Sequence, residues 1–458
     1  MTRRDAVRIV AALAGLLAAA GCLAQPVAWI HVTDQAGQPS PARVLITREG
    51  TDKPDLYVVF ADAQGDCPLT DVPPGQASIE VSRGPEWSVE TVEAVIHPLR
   101  GETQTVTLRR LCDLPARGYY GGDSHMHSTF SDGAQKPEDV ARHCRAEGLE
   151  WAFLTDHNSV AGHEAFKAQA TADFLPMGGQ EVTTGRGHIP ALGISTLVSP
   201  DVTQGAADVE RIFRQVHEQG GIAVIAHPQV PVMSFRDWDV PGYDAIEILN
   251  GSLAPYGPVF DTLQARLRWH EFLNQGRHLA AIGSSDNHDN AEGIVREALR
   301  DPEAAMQREP LLRLLWAIPN REQVLMPWAR KGLFLGIYRT YVKTEGLRQE
   351  AILEGLRAGR GFVTNGPIIV ATVNDQDPGS DITGPTAHVS YEVVGNRGLT
   401  RLDVVVGGKV AQSVPLQGQE ARGEVEVPVG EAHWLVLECY GPWPEFATTN
   451  AWYVTGAP

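Results

Sequence analysis

Cysteine is scarce in this chain, five residues in 458, and no two are spaced as Cys-x-x-Cys. That argues against a thiolate zinc site or a dithiol redox motif. Basic residues are also in short supply, with 38 Lys and Arg against 56 Asp and Glu, a formal charge of −18 and a pI near 5.3. A broad basic face for nucleic acid or an anionic membrane is therefore not expected. An anionic substrate would have to be held by something local, such as a metal. The chain also lacks a Gly-x-Ser-x-Gly elbow, a reactive-cysteine signature, a solenoid period and any low-complexity tract.

What is present is enough apolar residue, 43% of 458 positions, for two or three buried cores. Residues 1–24 read as an address: Arg3, Arg4 and Arg8 precede an apolar run over 9–22 that is too short to span a membrane. Export is expected, to the periplasm or as a membrane-anchored lipoprotein. Cleavage after "CLA", lipidation of Cys22 as an anchor, and a twin-arginine route through Arg3 and Arg4 all stay open. Cys67 and Cys112 either pair in an oxidising compartment or stay separate as small buried residues.

Texture then divides the chain. Residues 25–114 alternate in short stretches between turn signals ("ARVLITREG", "YVVFADAQGD", "ASIEVSRG"), which predicts a small antiparallel β-sandwich. From 115 to 366 strands alternate with helices. "KPEDVARHCRAEG" has Pro137 early, Glu138 and Asp139 in its first turn and Gly148 as a stop. Repeated strand, loop and helix units predict a parallel sheet closed as a barrel. Residues 367–458 return to strands and read as a second sandwich.

The expected strands of the middle region end in metal-ligand residue types: "DSHMHS", "LTDHN", "GGQEVTT", "IAHP" and "GSSDNH". In a parallel barrel those ends converge on one face. His125 and His127, two positions apart, can point the same way, and Asp132 reaches over the mouth from the loop beyond. His157, Glu181, His188, His227, Asp286 and His288 complete six histidines and three carboxylates. Burying such a set without a cation would be costly. Mixed imidazole and carboxylate donors suit zinc, manganese or iron. Glu181 can bridge two ions roughly 3.5 to 4 Å apart. By contrast His143, His217 and His270, inside expected helices, and His31, His97, His388 and His433, in the flanking strands, read as ordinary core or surface residues.

These motifs resemble the polymerase and histidinol phosphatase (PHP) superfamily, and within it the exported metallohydrolases of the CehA/McbA type, from about residue 119 to 367. "HMHSTFSDG", "TDHN", "QEVTTGRGH", "AHP" and "SSDNH" carry the likeness, with "RTYV" and "AILEGLRAGRGFVTNGP" resembling that branch's ending. Residues 25–114 resemble, more weakly, the regulatory sandwich that accompanies some carboxypeptidases. The resemblance implies a distorted TIM-like β/α barrel flanked by two β-sandwiches, holding two or three divalent ions. His125, His127, Glu181 and Asp286 would take the first ion, Glu181, His188 and His227 the second, and Asp132, His157 and His288 the third. The chain departs from the branch in an insertion over about 291–336, read either as a lid that determines substrate size or as a packed surface excursion.

Such a centre implies hydrolysis of a small ester by a metal-bridging hydroxide. The superfamily favours phosphoric esters and the branch allows carboxylic or carbamic esters. A non-catalytic exported binding protein on a metal-stabilised scaffold is the alternative from another class. Two further residues are candidates for direct roles. Asp156 would orient a ligand or carry a proton to the leaving group, and Arg186 would contact a substrate anion or merely solvate its loop. Arg339 is a second candidate cation.

Overall fold

A computed structural model describes residues 26–48, 55–230, 233–251, 262–288 and 335–455. The expected leader with Cys22, and the expected insertion save its last two residues, lie outside the described residues.

Seven strands form the first sheet: β1 (Val27–Asp34), β2 (Ala42–Arg48), β3 (Asp55–Ala61), β4 (Asp66–Pro68), β5 (Gly75–Ser82), β6 (Glu90–Ile96) and β7 (Glu102–Leu108). Their order is β3-β2-β5-β6-β1-β4, with β7 also on β1. Period-two alternation turns Ala42, Val44 and Ile46 of β2 and Ala77, Ile79 and Val81 of β5 into one buried core with Ile30 and Val32. The sheet is not wholly antiparallel, as the sequence had predicted, because β1 and β7 run parallel from Val27↔Glu102 to Asp34↔Leu108. After β6 the chain crosses the start of β1 at Gly101, where a Cβ would fall 2.3 Å from the Ala28 nitrogen. Only glycine fits that crossing, and it delivers β7 to β1 in the same direction.

The middle region supplies β8 (Tyr119–Asp123), α1 (Pro137–Ala146), β9 (Trp151–Leu154), α2 (His163–Lys167), β10 (Leu175–Thr184), β11 (Gly187–Leu192), α3 (Ala206–Glu218), β12 (Ile222–Ile225), β13 (Ala245–Asn250), α4 (Thr262–Asn274), β14 (Ala280–Ser284), β15 (Arg339–Lys343), α5 (Gln349–Arg357) and β16 (Gly361–Thr364). The strands run in the order β14-β13-β12-β11-β10-β9-β8-β15-β16. β8 to β10 and β12 to β14 pair in parallel, as expected for strand–helix units. The hairpin β10–β11 and the strand β15 interrupt that pattern with antiparallel pairings. The hairpin forms because Gly185 and Gly187, the latter at φ 122°, let the chain reverse in two residues.

Side chains close the ring. Among the described residues the outer edge of β14 has no ladder partner, yet Thr340 Oγ1 of β15 accepts from the Gly283 nitrogen at 2.9 Å and donates to the Gly283 carbonyl at 2.9 Å. Two residues earlier, the Asn450 amide accepts from the Ala281 nitrogen at 2.7 Å and donates to its carbonyl at 3.1 Å. The result is a nearly closed, barrel-like sheet whose edge groups are all occupied at these two positions.

The last strands are β17 (Ile368–Val373), β18 (Asp381–Thr383), β19 (Thr386–Val394), β20 (Arg401–Val406), β21 (Lys409–Pro415), β22 (Glu420–Pro428), β23 (Trp434–Tyr440), β24 (Phe446–Thr449) and β25 (Trp452–Thr455). β17, β19 and β22 make a separate three-stranded sheet. Ile369, Val389 and Val393 of that sheet pack on Leu402, Leu437 and Trp452. The other strands extend the barrel sheet itself, because β24 pairs with β16. Hydrogen bonding therefore runs straight across the expected boundary at residue 367.

The four described cysteines are free. Cys67 lies in the first core and Cys112 against another cluster, and burial pushes both thiols up to about 12. The pairing left open by the sequence is not made.

Candidate metal centre

His125 and His127 extend the line of β8, with Met126 between them bridged to Asn287 and the His127 nitrogen bonded to the Asn287 carbonyl at 2.9 Å. Met126 packs beneath α1 with Val140 and Cys144. Alternation places both imidazoles on the other side, their rings 5.1 Å apart. The hairpin does the same for the next pair. Thr183 faces His188 in register, so Glu181 and His188 are diagonal neighbours on one face, with Glu181 Oε1 2.8 Å from His188 Nδ1.

Glu181 is the hub. Its Oε1 also lies 3.1 Å from His227 Nε2, while Oε2 lies 2.7 Å from His157 Nδ1, 3.4 Å from His125 Nε2 and 3.5 Å from His127 Nε2. Asp286 Oδ1 approaches His127 Nε2 at 3.0 Å and His125 Nε2 at 3.4 Å. Asp132 reaches in from the rim, 3.4 Å from His157 Nε2 and 3.3 Å from His288 Nε2. All nine residues singled out in the sequence thus meet in one crevice.

The donor set fits divalent cations. His125 Nε2 and Glu181 Oε2 are buried and have no aligned hydrogen bond although they stand 3.4 Å apart. Ligand bonds of about 2.0–2.2 Å to a shared ion put neighbouring donor atoms roughly 3 to 3.6 Å from one another. Three groups have donor atoms mutually within 4.8 Å: His125, His127, Glu181 and Asp286; His157, Glu181 and His188; and His127, Asp132, His157 and His288. The first is the set that the family resemblance implied. The second has His157 where His227 was expected, and the third gains His127.

Electrostatics tell the same story from the proton side. Burial opposes charge on His157, but Asp132 and Glu181 outweigh it and carry the imidazole to about 10. Burial likewise opposes charge on His227, which Glu181 and Asp286 raise to about 9. Burial dominates at His127 and pushes it down to about 4. Against its own burial, Asp286 is held below the usual carboxylate range by His125, His127 and His288. With no cation present, protons supply the positive charge that these carboxylates demand.

Backbone strain marks the same place. His227 at φ 25° and Asp286 at φ 48° are two of five non-glycine residues with positive φ among those described. Such conformations persist only where the surroundings enforce them.

The two residues given direct roles sit differently. Asp156 accepts from the Ser128 nitrogen at 2.7 Å, the Ser128 hydroxyl at 2.8 Å and the Ser131 hydroxyl at 2.8 Å. It therefore braces the loop that carries His127 and Asp132, through the serine that follows the one and the serine that precedes the other. The Arg186 guanidinium forms a two-pronged ion pair with Asp237. Arg339 is 1% exposed and spends its guanidinium on the carbonyls of Gly336 and Glu147, away from the crevice. Cys144 is buried beside Met126, and the histidines read as ordinary stand outside the crevice, His143 stacked on Phe60 and His217 hydrogen-bonded through Nε2 to Asp244 Oδ2 at 2.8 Å.

Sequence reasoning missed Glu247, buried in β13 and 2.8 Å from His125 Nδ1. The signal was a lone carboxylate inside "AIEILN", an otherwise apolar buried strand. Asp123 was missed as well. It accepts from the His125 and Ser285 nitrogens, and burial lifts its carboxyl to about 6.

Comparison with known proteins places the same stretch. Residues 123–226, a stretch that includes His125 through His188, match the family model of the PHP domain. An uncharacterized protein of Methanocaldococcus jannaschii is 27% identical over 143 residues, covering 28% of this chain and 80% of that protein. Among solved structures, a two-domain protein of Bacteroides vulgatus containing a predicted PHP-like metal-dependent phosphoesterase aligns over 70% of this chain and 90% of its own, at 18% identity and a TM-score of 0.40. An amidohydrolase of Chromobacterium violaceum aligns over 36% of this chain and 87% of its own, at 20% identity and a TM-score of 0.28.

Proposed function

We propose that this chain is a metal-dependent hydrolase whose PHP-type centre cleaves a phosphoric ester of a small molecule. One observation carries the reading: Glu181 divides its two oxygens between imidazoles, His188 and His227 on Oε1 and His157, His125 and His127 on Oε2. A carboxylate so placed would hold two divalent ions, one on each oxygen. His125, His127 and Asp286 would complete the first site, His188 with His227 or His157 the second, and Asp132, His157 and His288 a third. Bound zinc, manganese or iron supplies an ionised water near neutral pH and a positive field for charge developing on the substrate oxygen.

The chain's own residues supply position. Asp132, whose side chain is 58% exposed, is the proposed ligand nearest solvent, so substrate enters past it. Asp156 holds that loop through Ser128 and Ser131. The finer likeness to the CehA/McbA branch, the TIM-like barrel between two sandwiches, and export to the periplasm or a lipid anchor belong to this same proposal.

A second reading, a carboxylic or carbamic ester hydrolase on the same centre, is favoured by a specific observation. The two cations singled out for a phosphoryl group are otherwise engaged, Arg186 by Asp237 and Arg339 by backbone carbonyls. Metal analysis combined with turnover of an aryl phosphate and an aryl carboxylic ester, side by side on metal-loaded protein, separates the readings. The first expects faster phosphate turnover. Bound metal with no turnover of either would point to a binding protein, and no bound metal would end the proposal. Glu181→Gln should cost more than about 100-fold in metal affinity, beyond the range usual for supporting residues.

A further inference from the structure

Glu247 occupies the middle of β13, a strand buried along its whole length. A carboxylate there is costly unless every oxygen is satisfied, and this one is. Oε1 accepts from His125 Nδ1 at 2.8 Å and the Ser284 hydroxyl at 2.6 Å, and Oε2 accepts from the His227 nitrogen at 2.9 Å and Asn250 Nδ2 at 2.9 Å. Three of those four donors belong to, or adjoin, the proposed ligand set. His125 is held by its side chain, His227 by its backbone, and Asn250 Nδ2 turns also to Asp286 Oδ2 at 3.3 Å.

Two consequences follow from this geometry. An acceptor on His125 Nδ1 puts the proton there and leaves Nε2, which stands 3.4 Å from both Glu181 and Asp286 without an aligned hydrogen bond, as the lone-pair nitrogen. The bond to the His227 nitrogen anchors a backbone at φ 25°, a conformation that a non-glycine residue keeps only under restraint. We infer that Glu247, relayed by Asn250, is a positioning residue of the metal centre, setting the tautomer of His125 and the backbone of His227 so that both face Glu181.

The inference rests on the metal-centre reading, and the test separates the two. Full-length protein stripped with chelator is titrated with zinc alone and with manganese alone by calorimetry, wild type beside Glu247→Gln and Glu247→Asp. Wild type that binds neither ion removes the metal reading itself. Wild type that binds, with Glu247→Gln weaker by about 10- to 100-fold and Glu247→Asp recovering part of the loss, is the expected result. Equal affinity in Glu247→Gln overturns the positioning role while leaving the metal centre intact. Should Glu247→Gln fail to fold, nitrogen-15 imidazole spectra of zinc-loaded wild type, with His125 assigned by a His125→Gln sample, decide the matter. A proton on Nδ1 of His125 supports the inference, and a proton on Nε2 overturns it.

Discussion

At the scale of single residues, the crevice is a contest between protons and cations for the same nitrogens. His157 and His227 keep their protons up to about 10 and about 9 because carboxylates face them. A cation needs the lone pair, so those protons must leave when it binds. Affinity should therefore strengthen as pH rises from 6 toward 9 and flatten above about 10. Calorimetry at pH 6.5, 7.5 and 8.5 in buffers of differing ionisation enthalpy should record net proton release, and binding independent of pH would contradict the electrostatics. Stability of the stripped protein should move the opposite way. An imidazole raised in the folded state stabilises fully below its unfolded value of about 6.5, and that contribution is lost as pH rises through the folded value. Stripped protein should thus soften between about pH 7 and 10, where metal-loaded protein does not. The clustered residues were legible because most of them follow a short apolar run beside Asp, Ser or Asn, where a strand stops, as in "DSHMHS", "LTDHN" and "GSSDNH", while Glu181, His188 and His227 stand out as lone ligand types in "GGQEVTT", "GRGH" and "IAHP". Glu247 was not, because a single carboxylate within "AIEILN" reads equally as a strand's solvent-facing position until both faces are known to be covered.

At the scale of elements, strand–helix alternation announced the parallel units but could not reveal how the ring closes. Closure depends on two side chains far apart in sequence, Thr340 and Asn450, that present a hydroxyl and an amide to the free edge of β14. Neither position carries a pattern, since a single hydroxyl or amide in a strand has many ordinary uses. The hairpin β10–β11 was hidden for a related reason. "QEVTTGRGH" contains its turn glycines, yet the run on either side suits one strand or two. Thr340→Val keeps the shape while leaving the nitrogen and carbonyl of Gly283 unpaired and buried. An orphaned group costs roughly 1–3 kcal/mol, so the pair should lower unfolding free energy by about 2–6 kcal/mol. Thr340→Ser, which keeps the hydroxyl, should stay within about 1 kcal/mol of wild type. Because β14 leads directly to Asp286, Thr340→Val should also release metal faster. Chemical denaturation and stopped-flow chelation read the two effects, and a Thr340→Val protein as stable as wild type would mean that the edge is satisfied by other means.

At the scale of the whole molecule, the flanking sheets are fastened to the barrel by polar contacts in buried positions. Arg43 of β2 reaches Glu147, just past α1, at 2.7 Å, with side chains only 4% and 1% exposed. Glu147 in turn offers its carbonyl to Arg339, and Tyr341 of β15 donates to Glu86 at 3.3 Å. Asn396 donates to the carbonyls of Gly84 and Trp87, so the last sheet also touches the first. The chain folds as linked parts, and a fault at one seam should be felt as lost stability while the crevice keeps its chemistry. Burial raises the Glu147 carboxyl while Arg43 and Arg339 pull it back. Arg43→Met therefore strands a buried carboxylate and should cost about 3–5 kcal/mol of unfolding free energy, the usual penalty for breaking such a pair from one side. Arg43→Met combined with Glu147→Met removes both charges and should recover most of that loss, since well-packed apolar replacements of buried ion pairs are often neutral or better. Metal content should be unchanged in both variants, because neither residue is within contact of the nine in the crevice. Denaturant unfolding of the four proteins of that cycle, with metal analysis on each, tests the claim. A double variant no more stable than Arg43→Met would show that the seam is held by packing and not by this charge pair.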